Sequence, residues 1–391
     1  MRKRPTVVVA AVLGWAVLSV SALGGSATAE VEGRGTQGAL PLPGYGAAVV
    51  DQLHRQVYVS GGAVGQSVAV VGLPERKRVG SGPGRDVQLV DGQQGAHGMA
   101  LSQDGKSLFV ALAAGDAVSV IDTETLKETA RYRAGADQNH LCPTHLARIG
   151  TVLWIGYGCD AWEGGIARLD TAAEKPEMEL DQQGATIRFE RAPALAAPAV
   201  DSAATRNIGQ TIVASQPHLS PVRLLAYSIG ADGKLTLDAD ERRGGSNLND
   251  LALTPDGSRL LTAAGSEDRV QGFTARTGEG LGDKGAWFTQ QAPVAVAPSP
   301  DGTLIATGVR SAGPKGKQVN VYPLDGTVPA WSAALPRHER LADRGLVWLP
   351  DGSALAAVTT RDDDPAPRLD ILKPSAPGDW PNGWSLSDSE L

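Results

Sequence analysis

The chain has 391 residues, 42% of them hydrophobic and 20% charged, which is enough apolar content for a packed core and excludes global disorder. Glycine numbers 48, roughly 12% of the chain against a usual ~7%, and 25 prolines add to it; that much punctuation excludes long helices and favours short strands joined by turns. The net charge of -7 and a pI of about 5.5 speak against a nucleic-acid partner.

The chain begins with an address. Arg2, Lys3 and Arg4 form a positive region, Val7 to Leu23 is apolar, and Ala27-Thr28-Ala29 offers the small residues that a signal peptidase reads. The pattern predicts a signal peptide over residues 1–29 and a mature chain starting at Glu30. An N-terminal membrane anchor is the alternative, but Gly14, Ser19 and Ser21 interrupt the stretch and no positive stop-transfer flank follows it. No second apolar run is long enough to cross a bilayer. The expectation is a secreted, extracellular protein with no membrane association after cleavage. Arginine outnumbers lysine 26 to 10, and with abundant alanine and glycine this suggests a GC-rich bacterial genome.

Residues 30–391 read as one domain made of a repeated unit. His97 to Ala111, Asn249 to Ala263, Val294 to Gly308 and Arg344 to Val358 each show a short apolar strand, an Asp-Gly turn and a second apolar strand. Asp-Gly supplies the positive φ that a tight hairpin needs. The aspartates at 256, 301 and 351 are spaced by 45 and 50 residues, the length of a four-stranded propeller blade. Weaker copies lie at Ala47 to Ser60, at Thr144 to Tyr157 around Gly150-Thr151, and near Ala192 to Ser215. A third strand follows in six places: Ser67 to Val71, Ala117 to Asp122, Gly165 to Asp170, Leu224 to Tyr227, Gln318 to Tyr322 and Arg368 to Leu372. The predicted fold is all-β, a seven-bladed β-propeller with blades near 45–93, 95–135, 142–181, 190–238, 247–289, 292–334 and 342–377. Stacking blades radially buries sheet faces that one blade cannot cover alone. The last blade lacks an evident fourth strand, and Gln37 to Leu42 is the segment expected to complete it and close the ring.

These repeats resemble the YVTN/YncE-type β-propeller repeat of the broad WD40-like superfamily, best in Gly115-Asp-Ala-Val-Ser-Val-Ile-Asp-Thr-Glu-Thr-Leu126. The chain is similar to the N-terminal propeller of secreted bacterial proteins that often carry immunoglobulin-like repeats. No such repeats follow Pro377 here. The resemblance implies strands and turns, and no particular chemistry.

Cys142 and Cys159 are the two cysteines, and an even count in a secreted chain points to a disulfide. Centring the third blade's first hairpin on Gly150-Thr151 places the two directly opposite each other across the strands, within disulfide reach. The rival reading is a zinc site made of His140, Cys142, His145 and Cys159, the ligand types zinc prefers, at a spacing that matches no familiar zinc module. Further clusters carry weaker signals. Asp362-Asp363-Asp364 and Asp238/Asp240/Glu241 read as solvated loops rather than calcium sites, lacking the alternating acids of a calcium loop. Glu75 to Arg78 is too short for a nucleic-acid site. Trp154, Tyr157 and Trp162 read as packing between blades, with stacking on a sugar or partner as the alternative. Trp380 and Trp384 are expected to pack the terminus on the ring, with an exposed partner contact as the alternative.

Aligned by repeat, the first residues of each leading strand form two columns. Gly46, His97, Thr144, Asn249, Val294 and Arg344 make the first; Ala47, Gly98, His145, Asp250, Ala295 and Gly345 make the second. In a propeller these positions rim one mouth of the central channel, a place where a small ligand binds. His97, Thr144, His145, Asn249, Asp250 and Arg344 are therefore the ligand-binding candidates. No Gly-x-Ser-x-Gly elbow is present. The function expected is a non-catalytic, cofactor-free, monomeric scaffold that binds a protein, a cell-wall glycan or a small ligand at this face. The alternative is a lactonase-like or streptogramin-lyase-like hydrolase or lyase at the channel mouth, with His97, His145 and Asp250 as acid–base groups.

Overall fold

The hairpins are built by a repeated local device. In each of the turns at 102–105, 254–257, 299–302 and 349–352 the last residue is a glycine, whose N–H bonds the carbonyl three residues back. Each of these glycines has a φ near +70°. The preceding aspartate turns its Oδ1 onto the backbone N–H two residues on, at 3.1, 3.1, 3.1 and 2.9 Å for Asp104, Asp256, Asp301 and Asp351. Of each Asp-Gly pair only the glycine is left-handed. The turn is thus a four-residue type I loop ending in a left-handed glycine, rather than a two-residue turn with both positions at positive φ.

The computed structural model describes residues 38–73, 87–134, 140–159, 162–198, 210–275, 280–312 and 316–373. Every regular element in them is a strand, and the strands form seven antiparallel sheets in sequential meander order. The first sheet is Ala48–Asp51, Gln56–Ser60, Ser67–Gly72 and Val87–Asp91 (β1–β4). The second is Ala96–Leu101, Ser107–Leu112, Ala117–Asp122 and Glu128–Arg133 (β5–β8). The third is His145–Ile149, Val152–Tyr157, Gly165–Asp170 and Met178–Glu179 (β9–β12). The fourth is Ala194–Ala196, Thr211–Gln216, Arg223–Ile229 and Leu235–Arg242 (β13–β16). Leu248–Leu253, Arg259–Ala264, Arg269–Thr274 and Asp283–Phe288 (β17–β20) form the fifth. Pro293–Pro298, Leu304–Val309, Val319–Pro323 and Trp331–Ala333 (β21–β24) form the sixth. The seventh has three strands, Glu339–Trp348, Leu355–Arg361 and Asp364–Leu372 (β25–β27). This is a seven-bladed β-propeller.

Side chains alternate between the two faces of a strand, so each blade contributes to two interfaces. In β2, Val57 and Val59 face the seventh blade while Tyr58 faces the second. Among the described residues there are seven apolar clusters, one for each pair of neighbouring blades, including the seventh with the first. The core is therefore a closed circuit of inter-blade layers. The leading strands β1, β5, β9, β13, β17, β21 and β25 line the inside, each touching the next, with β25 against β1.

Leu40 and Leu42 enter the cluster between blades seven and one, beside Leu369 and Ile371 of β27. The Leu40 N–H bonds Pro367 O at 2.8 Å. The segment thus lies along the open edge of the three-stranded blade without adding a regular strand to it. Gln37, the segment 1–29 expected to be a signal peptide, Glu75 to Arg78, Trp380 and Trp384 lie outside the described residues.

Candidate functional site

The inner strands depart from regular pairing at their heads, where the first column of repeat-aligned residues lies. In β5, pairing jumps from Ala96 with Leu112 to Met99 with Val110, leaving one extra residue at His97-Gly98. In β17 it jumps from Leu248 with Ala264 to Asp250 with Ala263, so Asn249 is extra. In β21, Val294 is extra in the same way. In β25 the pairs are Leu341 with Thr359 and then Leu346 with Ala357, so three extra residues bulge out around Asp343-Arg344. Bulges re-aim side chains at rims and sites. At the last one Arg344 has a φ of 60°. Its neighbour Gly345 leaves no room for a Cβ, which would sit 2.7 Å from both Ala342 O and Val358 O.

The bulges of β5, β17 and β25 converge on one cavity of about 630 Å³ at an end of the ring. All six ligand-binding candidates line it: His97, Thr144, His145, Asn249, Asp250 and Arg344. They come from blades two, three, five and seven, and all six are half-buried. Val294, from the same column, instead packs in the core between blades six and seven. Gly46 supplies a carbonyl that accepts a hydrogen bond from Arg344 at 3.3 Å. The Tyr45 hydroxyl donates to Arg344 O at 3.0 Å. Both contacts tie the seventh blade to the chain entering the first.

The electrostatics follow from partial burial around the Arg344 guanidinium. Burial pushes His97 below the ordinary imidazole value, and Arg344 adds to the effect. Burial holds His145 well below that value, helped by Arg344, His97 and His218. Both rings are therefore neutral at pH 7, each with one donor and one acceptor nitrogen. His145 Nδ1 lies 2.8 Å from Thr144 Oγ1. Burial raises Asp250 to about 6, against the lowering effect of two backbone hydrogen bonds and Arg344. Its Oδ1 accepts from Leu251 N and its Oδ2 from Val296 N, each at 2.8 Å. Asp250 thus pins blade five to blade six, and neither of these hydrogen bonds goes to a histidine. Asn249 does similar work, its Nδ2 donating to Pro293 O at 2.9 Å.

Cys142 and Cys159 are disulfide-bonded, with Cα atoms 5.2 Å apart. They continue the β9–β10 ladder, in which Val152 faces Ile149 and Gly156 faces His145. Asp116 accepts hydrogen bonds from the backbone of Cys142 at 3.0 Å and of His140 at 3.2 Å, holding this loop on blade two. The bonded sulfurs are not thiolates, so the set His140, Cys142, His145 and Cys159 lacks the two anionic ligands on which the zinc reading rested. Asp116 is within metal-ligand reach of both sulfurs, and the same chemistry applies to it.

The acid clusters are answered by arginines. Asp362 pairs with Arg340 at 2.6 Å, and Asp364 with Arg368 at 2.6 Å. Asp240 pairs with Arg223 at 2.7 Å and Glu241 with Arg243 at 3.1 Å. Trp154 and Tyr157 are buried between blades, whereas Trp162 is 55% exposed.

The cavity also takes residues from outside the two columns, chiefly His218, Arg191 and Asp343. His218 lies in the loop after the fourth blade's second strand. Such loops share a face with the heads of the leading strands, so that rule applied to β14 would have found it. Arg191 precedes a degenerate, three-residue strand, and no repeat signal marks it.

No protein-family model matches the sequence, and the search of curated proteins found no relative. Solved structures with the same fold are numerous. A chain of the Mitotic Checkpoint Complex aligns over 93% of this chain and 98% of its own, with a TM-score of 0.63 and 13% identity. The Myceliophteria thermophila Cps50 (Swd1) β-propeller domain aligns over 87% and 99%, with a TM-score of 0.57 and 13% identity. A chain of Kuenenia stuttgartiensis Hydrazine Synthase aligns over 83% and 94%, with a TM-score of 0.53 and 17% identity. Such likenesses establish the fold: this chain is a seven-bladed propeller with WD40 propellers among its structural neighbours.

Proposed function

We propose that this protein is a secreted, non-catalytic propeller scaffold whose ligand seats in the cavity at the heads of its inner strands. One observation carries the reading. Polar side chains from four blades, far apart in sequence, meet in a single cavity of about 630 Å³, those of blades two, five and seven delivered by bulges. That volume lies in the range of small-molecule sites. Propeller neighbours drawn from protein complexes are consistent with recognition as the task. The basic and apolar leader ending at Ala29 supports export. The YVTN/YncE type of the repeat belongs to the same proposal.

Binding is favoured over catalysis because Asp250 spends both oxygens on backbone N–H groups, and His145 Nδ1 faces Thr144. Neither arrangement sets a carboxylate behind an imidazole to raise its basicity. A second reading, a hydrolase or lyase, draws on Asp250 alone, since a carboxyl raised to about 6 is poised for proton transfer.

The test has two readouts. Protein recovered from culture medium should have a mass starting at Glu30 and two hydrogens below the fully reduced mass. A fragment library followed by protein-observed NMR should give binders that move the imidazole resonances of His97, His145 and His218 and are recovered unchanged. Retention in the cell would overturn secretion, absence of such shifts would overturn the cavity, and consumption of a fragment would favour the enzyme reading.

A further inference from the structure

The cavity contains a cation whose neighbouring acids are committed elsewhere. A guanidinium offers five N–H donors. Among the described residues, Arg344 is seen to use one, to Gly46 O at 3.3 Å. Asp343, adjacent in sequence, is paired with Arg310 outside. Asp250 acts on Arg344 electrostatically, yet its two oxygens are held by Leu251 N and Val296 N, and the two groups form no ion pair among the described residues. The three-residue bulge that delivers Arg344 puts a non-glycine residue at positive φ, a strained conformation of the kind that clusters at binding sites.

The rest of the lining narrows the choice of ligand. His97 and His145 are held neutral by burial, so they add hydrogen-bonding nitrogens and no charge. Half-buried Arg344 and exposed Arg191 are balanced in the lining by Asp250 and Asp343, and a lining without excess positive charge suits a single negative charge better than a phosphate dianion. The planar fork of arginine fits a carboxylate through two parallel bonds. Leu195, Leu248 and Leu251 give the cavity an apolar wall from blades four and five.

We propose that the cavity takes a small monocarboxylic acid, its carboxylate on the Arg344 fork and its apolar body against Leu195, Leu248 and Leu251. This rests on the cavity being the binding site. The neutral His97 and His145 rings would meet hydroxyl or amide groups on the ligand.

The experiment is a fragment library composed of matched pairs, each carboxylic acid beside its own primary carboxamide, titrated into the full mature chain. Shifts of the His97, His145 and His218 resonances report occupancy. Acids are expected to bind at least tenfold more tightly than their amides, and Arg344→Gln to erase that difference while the urea midpoint stays in place. Arg344→Lys, which keeps the charge and loses the fork, should fall between. Acids and amides that bind equally would overturn the carboxylate assignment and leave the cavity site standing. An acid preference that survives Arg344→Gln would overturn the role of Arg344. No shift from any fragment would overturn both the inference and the reading beneath it. The acid-to-amide comparison in the unmodified protein decides the class even where Arg344→Gln fails to fold.

Discussion

Truncating Leu40 and Leu42 to alanine tests whether the N-terminal segment holds the seventh blade to the first. The two side chains are 2% and 3% exposed and sit in the same cluster as Val57, Val59, Leu369 and Ile371. Burying a leucine contributes roughly 1.5–3 kcal/mol, and Leu→Ala in a packed core costs about 2–5 kcal/mol. A segment near the chain end can relax, which favours the lower bound, so the double variant should lose about 4 kcal/mol. That is a large share of a typical stability of ~5–15 kcal/mol. The loss should appear as a lower urea midpoint. Hydrogen exchange should quicken in β27, whose outer edge accepts the Leu40 N–H at Pro367 O. Leu53→Ala, at a side chain that is 58% exposed, is the control and should stay within about 0.5 kcal/mol. A double variant that loses less than about 1 kcal/mol, with β27 exchange unchanged, would refute the closure argument.

The Cys142→Ser, Cys159→Ser variant removes a cross-link spanning 17 residues and should lose about 3 kcal/mol in the chain-entropy view, read as a lower denaturation midpoint. Because both cysteines line the cavity, fragment affinity should fall with it. The pH profile of stability carries opposing contributions from groups that face one another across β5, β9, β17, β25 and the His218 loop. His97 and His145 have folded values below 6.5, so the unfolded state binds more protons and stability falls as pH drops below 6.5. Asp250 is raised from 3.8 to about 6, so the folded state binds more protons and stability rises as pH falls through that window. Arg344 faces these groups, and Asp343 is held by Arg310. Asp250→Asn should therefore steepen the acid-side loss between pH 6 and 4, measured by urea midpoints; an unchanged slope would contradict the burial assigned to Asp250.

The propeller was legible because its signals are short-range. Asp104, Asp256, Asp301 and Asp351 each cap a turn that a glycine completes, and the strands on either side alternate with period two. Register was legible for the same reason: centring one hairpin on Gly150-Thr151 placed Cys142 opposite Cys159. The column alignment located the heads of the inner strands, although it did not reveal that His97, Asn249 and Arg344 lie in bulges. Val294 shares the column and faces the core, because the bulge in β21 points it between blades.

What the sequence by itself determined is the blade: its strands, its turns, its length and the cross-strand cysteine pair, all set by residues near one another in the chain. Only the tertiary structure decided what the ring makes of them. It brought His218 and Arg191 to the cavity, gave Asp343 to Arg310, turned Asp250 onto the backbone of the next blade and left Arg344 with donors to spare. It also set the charge of each group, because desolvation depends on everything packed around a side chain, and here those neighbours come from blades up to some three hundred residues away, as between Arg344 and Gly46.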